Sequence, residues 1–105
     1  MAENKEFGFP IPKYDGHYDH WSMLMKNLLE SKEFWEIVET GVPVLAAGAT
    51  AEEQRIAKEA KLKDLKAKNY LFQSIDRTII ETILDKSSSK AIWDSMKQKF
   101  EGSTK

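Results

Sequence analysis

The stretch from Thr50 to Ser74 constrains this chain most: at about 100° per residue it puts apolar side chains on two opposite sides of one long helix. Ile56, Ala57, Ala60, Ala67, Leu71 and Ile75 gather on one side, the pattern of a helix that lays a face on a core. Leu62, Leu65 and Phe72 fall nearly opposite. A rod that is apolar twice over is expected to stand between neighbours as the central post of a bundle. Thr50 and Glu53 mark its start as a capping box, in which hydroxyl and carboxylate each satisfy a free backbone donor. Asp64 lies within the first apolar side, and a buried carboxylate needs a partner. A Trp indole N–H or a helix N-terminus is expected to supply it.

The other segments are short and have a single apolar face. Trp21, Leu24, Met25, Leu28 and Leu29 recur at i, i+3, i+4, i+7 and i+8, which predicts a helix over 18–31 with Asp19 or a neighbour as its cap. Phe34, Ile37 and Val38 predict a second helix over 32–39, with Trp35 at the margin of its stripe. Gly41 and Pro43 end it, since Pro43 biases Val42 away from helical angles. Residues 40–49 then read as a flexible loop. Ile79, Ile80, Ile83 and Leu84 predict a fourth helix over 76–85; isoleucines also favour strands, but these come in pairs at i, i+1, i+4 and i+5 rather than alternating. The serines at 87–89 offer an N-cap to a last helix carrying Ile92, Trp93, Met96 and Phe100 and closing on Gly102.

Upstream, Phe7, Phe9, Pro10, Ile11, Pro12 and Tyr14 form an apolar run with two prolines. Such a run cannot donate a full ladder of backbone bonds and should cross the bundle as an extended strap, ended by the turn signal Asp15-Gly16. The expected architecture is therefore all-α: a single compact bundle of about five helices with an extended proline-containing N-terminal strap. Its expected core is Trp21, Leu24, Leu28, Ile37, Leu71, Ile83, Trp93 and Phe100. At 105 residues one such domain accounts for the whole chain.

Composition narrows the function. There is no Cys, hence no disulfide and no thiolate metal site. The polar start lacks an export signal and no run approaches the roughly 20 apolar residues of a membrane span, so a cytoplasmic location and no membrane partner are expected. His17 and His20, flanked by Asp15 and Asp19, have no further His or Cys to complete a metal shell. No nucleophile motif or phosphate-cradling glycine loop is present. The chain is thus expected to be no enzyme, with no catalytic residue, metal, cofactor or small-molecule substrate. A net charge of −1 speaks against a dedicated nucleic-acid-binding domain. One cationic cluster, Arg55, Lys58, Lys61, Lys63, Lys66 and Lys68, is ordinarily a solvated face; its functional reading is a weak, salt-sensitive RNA contact. Met23, outside its stripe, Trp35, Leu62, Leu65 and Phe72 are candidates for contact with another subunit.

The order and spacing of these segments resemble the opening of the Gag polyprotein of copia-type LTR retrotransposons. In that family a Tyr/Phe-Asp-Gly turn precedes a Tyr-x-x-Trp helix start, matched here by Tyr14, Asp15, Gly16, Tyr18 and Trp21. A Leu-Trp-x-x-Val second helix is matched by Trp35 and Val38, and an Ala-x-x-x-Trp-x-x-Leu helix ending Tyr-Glu-Gly by Trp93, Phe100, Glu101 and Gly102. Phe34 and Met96 stand where Leu is commoner and Phe100 where Tyr is, exchanges a core tolerates. The resemblance implies an N-terminal capsid lobe over residues 9–102, after a flexible lead-in at 1–8 and before a tail at 103–105 that leads to a second lobe. It implies that the lobe packs against copies of itself in a virus-like particle around element RNA, with RNA handled by other parts of Gag. A domesticated Gag lobe working as an adaptor is the alternative, with Phe7, Phe9, Pro10, Ile11, Pro12 and Tyr14 at a groove for a partner peptide.

Overall fold

In the computed structural model, which describes residues 10–101, five helices follow one another: α1 Tyr18–Ser31, α2 Trp35–Thr40, α3 Ala51–Ser74, α4 Arg77–Ile80 and α5 Ser89–Phe100. No strand occurs among the described residues. The long helix begins with the capping box intact. Glu53 N–H donates to Thr50 Oγ1 at 3.1 Å, and Thr50 N–H donates to the Glu53 carboxylate at 2.9 Å.

The core forms where α1, α3 and α5 turn their apolar stripes together. Trp21, Met25, Leu28 and Leu29 come from α1, Ala67 and Leu71 from α3, and Ile92, Trp93 and Met96 from α5, with Val38, Ile75 and Ile83 closing the sides. Trp21 lies at its centre, stacked on Trp93 with centroids 5.3 Å apart. Its indole N–H donates to Ser74 Oγ at 2.6 Å, so the one polar atom of a fully buried ring is satisfied. Ser74 Oγ in turn donates to the Pro12 carbonyl, and Tyr14 N–H donates to the Ser74 carbonyl at 3.0 Å. Residues 10–14 of the strap are thereby tied to the end of α3. Tyr14 also sets its ring edge-on to Trp21 and against Phe100. Phe7 and Phe9 lie outside the described residues, as does Gly102, and Glu101 occupies the C-cap of α5.

Three helix boundaries differ from expectation for local reasons. The second helix starts at Trp35 rather than at 32, because α1 ends in a Schellman motif: Phe34 N–H donates to the Leu29 carbonyl at 2.8 Å and Glu33 N–H to that of Glu30 at 3.0 Å. This closure puts Glu33 in the left-handed region at φ 66°. A side chain is unfavourable there, so Glu33→Gly is expected to stabilise the domain by about 0.5–1 kcal/mol, read as a higher urea midpoint. The fourth helix spans four residues instead of ten. Thr82 Oγ1 takes the Ile79 carbonyl at 2.7 Å and Thr82 and Ile83 N–H make tighter i→i+3 bonds, which turns the chain so that Ile83 is buried and Leu84 is 97% exposed. At the start of α1 the cap position is His17, with no side-chain cap; Asp15 accepts from His17 N–H at 3.1 Å just outside the helix.

Burial corrects the expected core and the expected core side of α3. Leu24 is 40% exposed and Ile56 is 47% exposed. Both lie at the edge of their stripes, and no described element packs far enough round to cover them. Phe100, also expected inside, is half-buried at the core margin. A larger correction concerns α3: it is not a post between neighbours. Leu62, Leu65 and Phe72 are 53, 44 and 39% exposed, so its second apolar side faces outward.

Tyr18 is 4% exposed, and burial, helped by Glu101 and Asp19, pushes its phenol up to about 12. A phenol whose folded value is raised contributes stability that is complete below its unfolded value near 10 and is lost as pH climbs through 12. Urea unfolding followed from pH 8 to pH 12 is expected to show this alkaline decline, and Tyr18→Phe to flatten it relative to the parent chain.

Candidate assembly surface

Asp64, on the core side of α3, is 3% exposed. Its Oδ1 accepts from Ser89 N–H at 2.8 Å and from Ser89 Oγ at 2.6 Å. The expected partner, a helix N-terminus, is that of α5; Ser88 Oγ takes the N–H of Ala91 in the same first turn. The carboxylate therefore anchors α5 to α3 and is committed to structure, not offered to a ligand.

The opposite side of α3 is open. Leu62 and Leu65, with Ala57 beneath, face Val42, Pro43 and Leu45 of the preceding loop across a groove of about 840 Å³. Val44, in the same loop, is 96% exposed. Two of the other candidate contact residues are elsewhere: Met23, 58% exposed, and half-buried Trp35 line a shallow hollow of about 320 Å³ between α1, α2 and α5. Trp35 sets its edge on Trp93, with the Lys26 ammonium 5.3 Å from its ring centroid. Phe72 continues the α3 side beyond the groove. Sequence reasoning marked Leu62, Leu65 and Phe72 as apolar, but it missed the part of Val42, Pro43 and Leu45, whose loop became a wall only through tertiary packing.

The cationic cluster does not form one face. Two residues of helix turn about 200°, so Lys61 and Lys63 point to different sides. Arg55 is held by Glu52 at 2.5 Å and Glu59 at 2.7 Å, which raise its pKa further. Lys68 reaches back to the carbonyls of Lys86 and Ser87. Lys58 and Lys61 stand at the groove, and Lys66 is exposed near it. What remains is an apolar groove with a modest basic rim.

A second hollow, between Tyr14, His17, Asp76 and Phe100, holds two carboxylates. Hydrogen bonds from His17 hold Asp15 below the usual carboxylate range, and those from Thr78 do the same for Asp76. Both are ionised and solvent-exposed at neutral pH, which suits turn-making rather than proton transfer. Among the described residues no group of three or more His, Cys, Asp or Glu could hold a metal ion. Among the same residues no helix is long and apolar enough to cross a membrane.

The described residues form a helical lobe with strap residues packed on its core and one open apolar side on α3, the form of a structural domain. The family profile described as gag-polypeptide of LTR copia-type matches residues 25–105, and the chain belongs to that family. No curated protein and no solved structure matches it.

Proposed function

We propose that this chain is a non-enzymatic capsid lobe of a copia-type Gag polyprotein, a cytoplasmic assembly module that makes weak, repeated contacts with copies of itself in a particle around element RNA. The observation that carries this reading is the outward apolar side of α3, Leu62, Leu65 and Phe72, on a domain whose core is otherwise closed. Weak contacts suffice, because symmetry and multivalency turn many of them into a shell. The strap supports the capsid reading over a peptide-binding adaptor: Ile11 and Tyr14 rest on the core, and Pro12 is bonded to Ser74, so the chain itself occupies the place a guest peptide would take.

Light scattering on a chain extended C-terminally with further Gag sequence tests the reading. Concentration-dependent growth into large, uniform particles is expected, and strictly monomeric behaviour at every salt concentration would sink it. In this proposal RNA is held by other parts of Gag. Binding of single-stranded RNA to the 105-residue chain is accordingly expected to be weak, and to fall steeply with salt where it is measurable.

A further inference from the structure

On the capsid reading just proposed, which this inference deepens, we infer that α3 of one copy pairs antiparallel with α3 of a second copy, the two-fold axis passing between Leu62 and Leu65. The outward side of α3 carries Lys58, Leu62, Leu65, Asn69 and Phe72, separated by 4, 3, 4 and 3 residues. This is the alternation of a coiled-coil seam, with Lys58 and Asn69 as its polar positions, which specify register at a cost in stability. Among the described residues only the loop wall at Val42, Pro43 and Leu45 approaches that seam, and it leaves Leu62, Leu65 and Phe72 at 53, 44 and 39% exposure, with Lys58 and Asn69 exposed too. That loop wall widens the apolar strip beside it.

Charge decides the direction. In a parallel pair the flanking Lys61 of one helix would face Lys66 of the other, and like charges would repel at both edges. In the antiparallel register centred between Leu62 and Leu65, each of these leucines meets the other across the axis. Lys58 then faces Asn69, and the stem of Arg55 lies on Phe72. At one edge Glu59 faces Lys66 twice by symmetry, an attractive pair. At the other edge Lys61 faces Lys68, whose ammonium is drawn back onto the Lys86 and Ser87 carbonyls of its own domain, so this contact repels less. With few apolar layers the dimer is weak, with Kd on the order of 0.1–1 mM.

Sedimentation velocity of the 105-residue chain from about 10 μM to 1 mM is expected to show a reversible monomer–dimer equilibrium. Leu65→Asp should weaken it at least about tenfold while the monomer stays folded, its melting temperature lowered by only a few degrees because the half-exposed side chain lies outside the core. Lys66→Glu should also weaken it, and adding Glu59→Lys should restore it. The chain has no Cys, so direction can be read from two single variants, K58C and N69C. Mixed under mild oxidation they should give the mixed disulfide over either homodimer. Dominant K58C homodimers would indicate a parallel pair and overturn the proposal, as would a monomer at every concentration or a Leu65→Asp variant that dimerises like the parent. A chain that stays monomeric while its seam amide resonances shift on deletion of residues 1–9 would mean that its own N-terminus occupies the seam, which also overturns it. If the extended Gag chain still forms particles with Leu65→Asp, this interface is wrong and the capsid reading stands. If the short chain dimerises but the extended chain never assembles, the reverse holds.

Discussion

Trp21→Ala is expected to cost about 4–5 kcal/mol, the largest loss available to a single substitution in this domain. The indole is 1% exposed, stacks on Trp93, receives the edge of Tyr14 and donates to Ser74. Removing it opens a cavity where α1, α3 and α5 meet, and the backbone cannot close over a space that three helices line. A domain of this size has about 5–15 kcal/mol in total, so the variant should be marginal at 37 °C. Urea unfolding should show a midpoint lowered by about 2 M or more. Trp21→Phe should fall in between, at about 2–3 kcal/mol, because it removes the N–H together with the five-membered part of the indole and so loses both the bond to Ser74 and some packing. Ser74→Ala should cost about 2 kcal/mol, because it leaves both the indole N–H and the Pro12 carbonyl without their shared partner. A Trp21→Ala loss below about 1 kcal/mol would contradict the packing described here.

Asp64→Ala is expected to cost about 3 kcal/mol, although it removes no apolar contact. Two donors of Ser89 would be left in a dry site, and one of them is a backbone N–H that no side-chain replacement can eliminate. The carboxylate also meets the positive end of α5, which adds a favourable term. Melting temperature should fall by roughly 12–24 °C. Ser89→Ala should cost about 1–2 kcal/mol, since the backbone N–H still reaches Asp64. A double-mutant cycle should then show the two losses to be far from additive. Unchanged stability in Asp64→Ala would mean that the carboxylate is not the tie between α3 and α5.

These two residues were not equally legible. Trp21 announces itself, because an aromatic at the centre of an i, i+3, i+4, i+7 stripe has only one place to go. Asp64 announces a need for a partner without naming it, and the partner stands 25 residues away in sequence. The same division runs through the candidate assembly surface. Leu62, Leu65 and Phe72 read as a second apolar side, yet periodicity alone favoured a sandwiched helix over an open one. The loop residues Val42, Pro43 and Leu45 carried no signal that they would wall the groove.

The sequence by itself determined what is local: the spans of α1 and α3, the Thr50–Glu53 capping box, a serine cap within 87–89 for α5 and the all-helical class. Periodicity and capping act within one or two turns, so neighbouring residues suffice to specify them. Only the tertiary structure decided which apolar sides are covered. Leu24, Ile56 and the outer side of α3 remain exposed because the described chain has too few elements to reach them, and the fourth helix is cut short because burying Ile83 requires a turn there. Coverage depends on how many elements meet and from which direction, a property of the assembled domain that no single stripe contains.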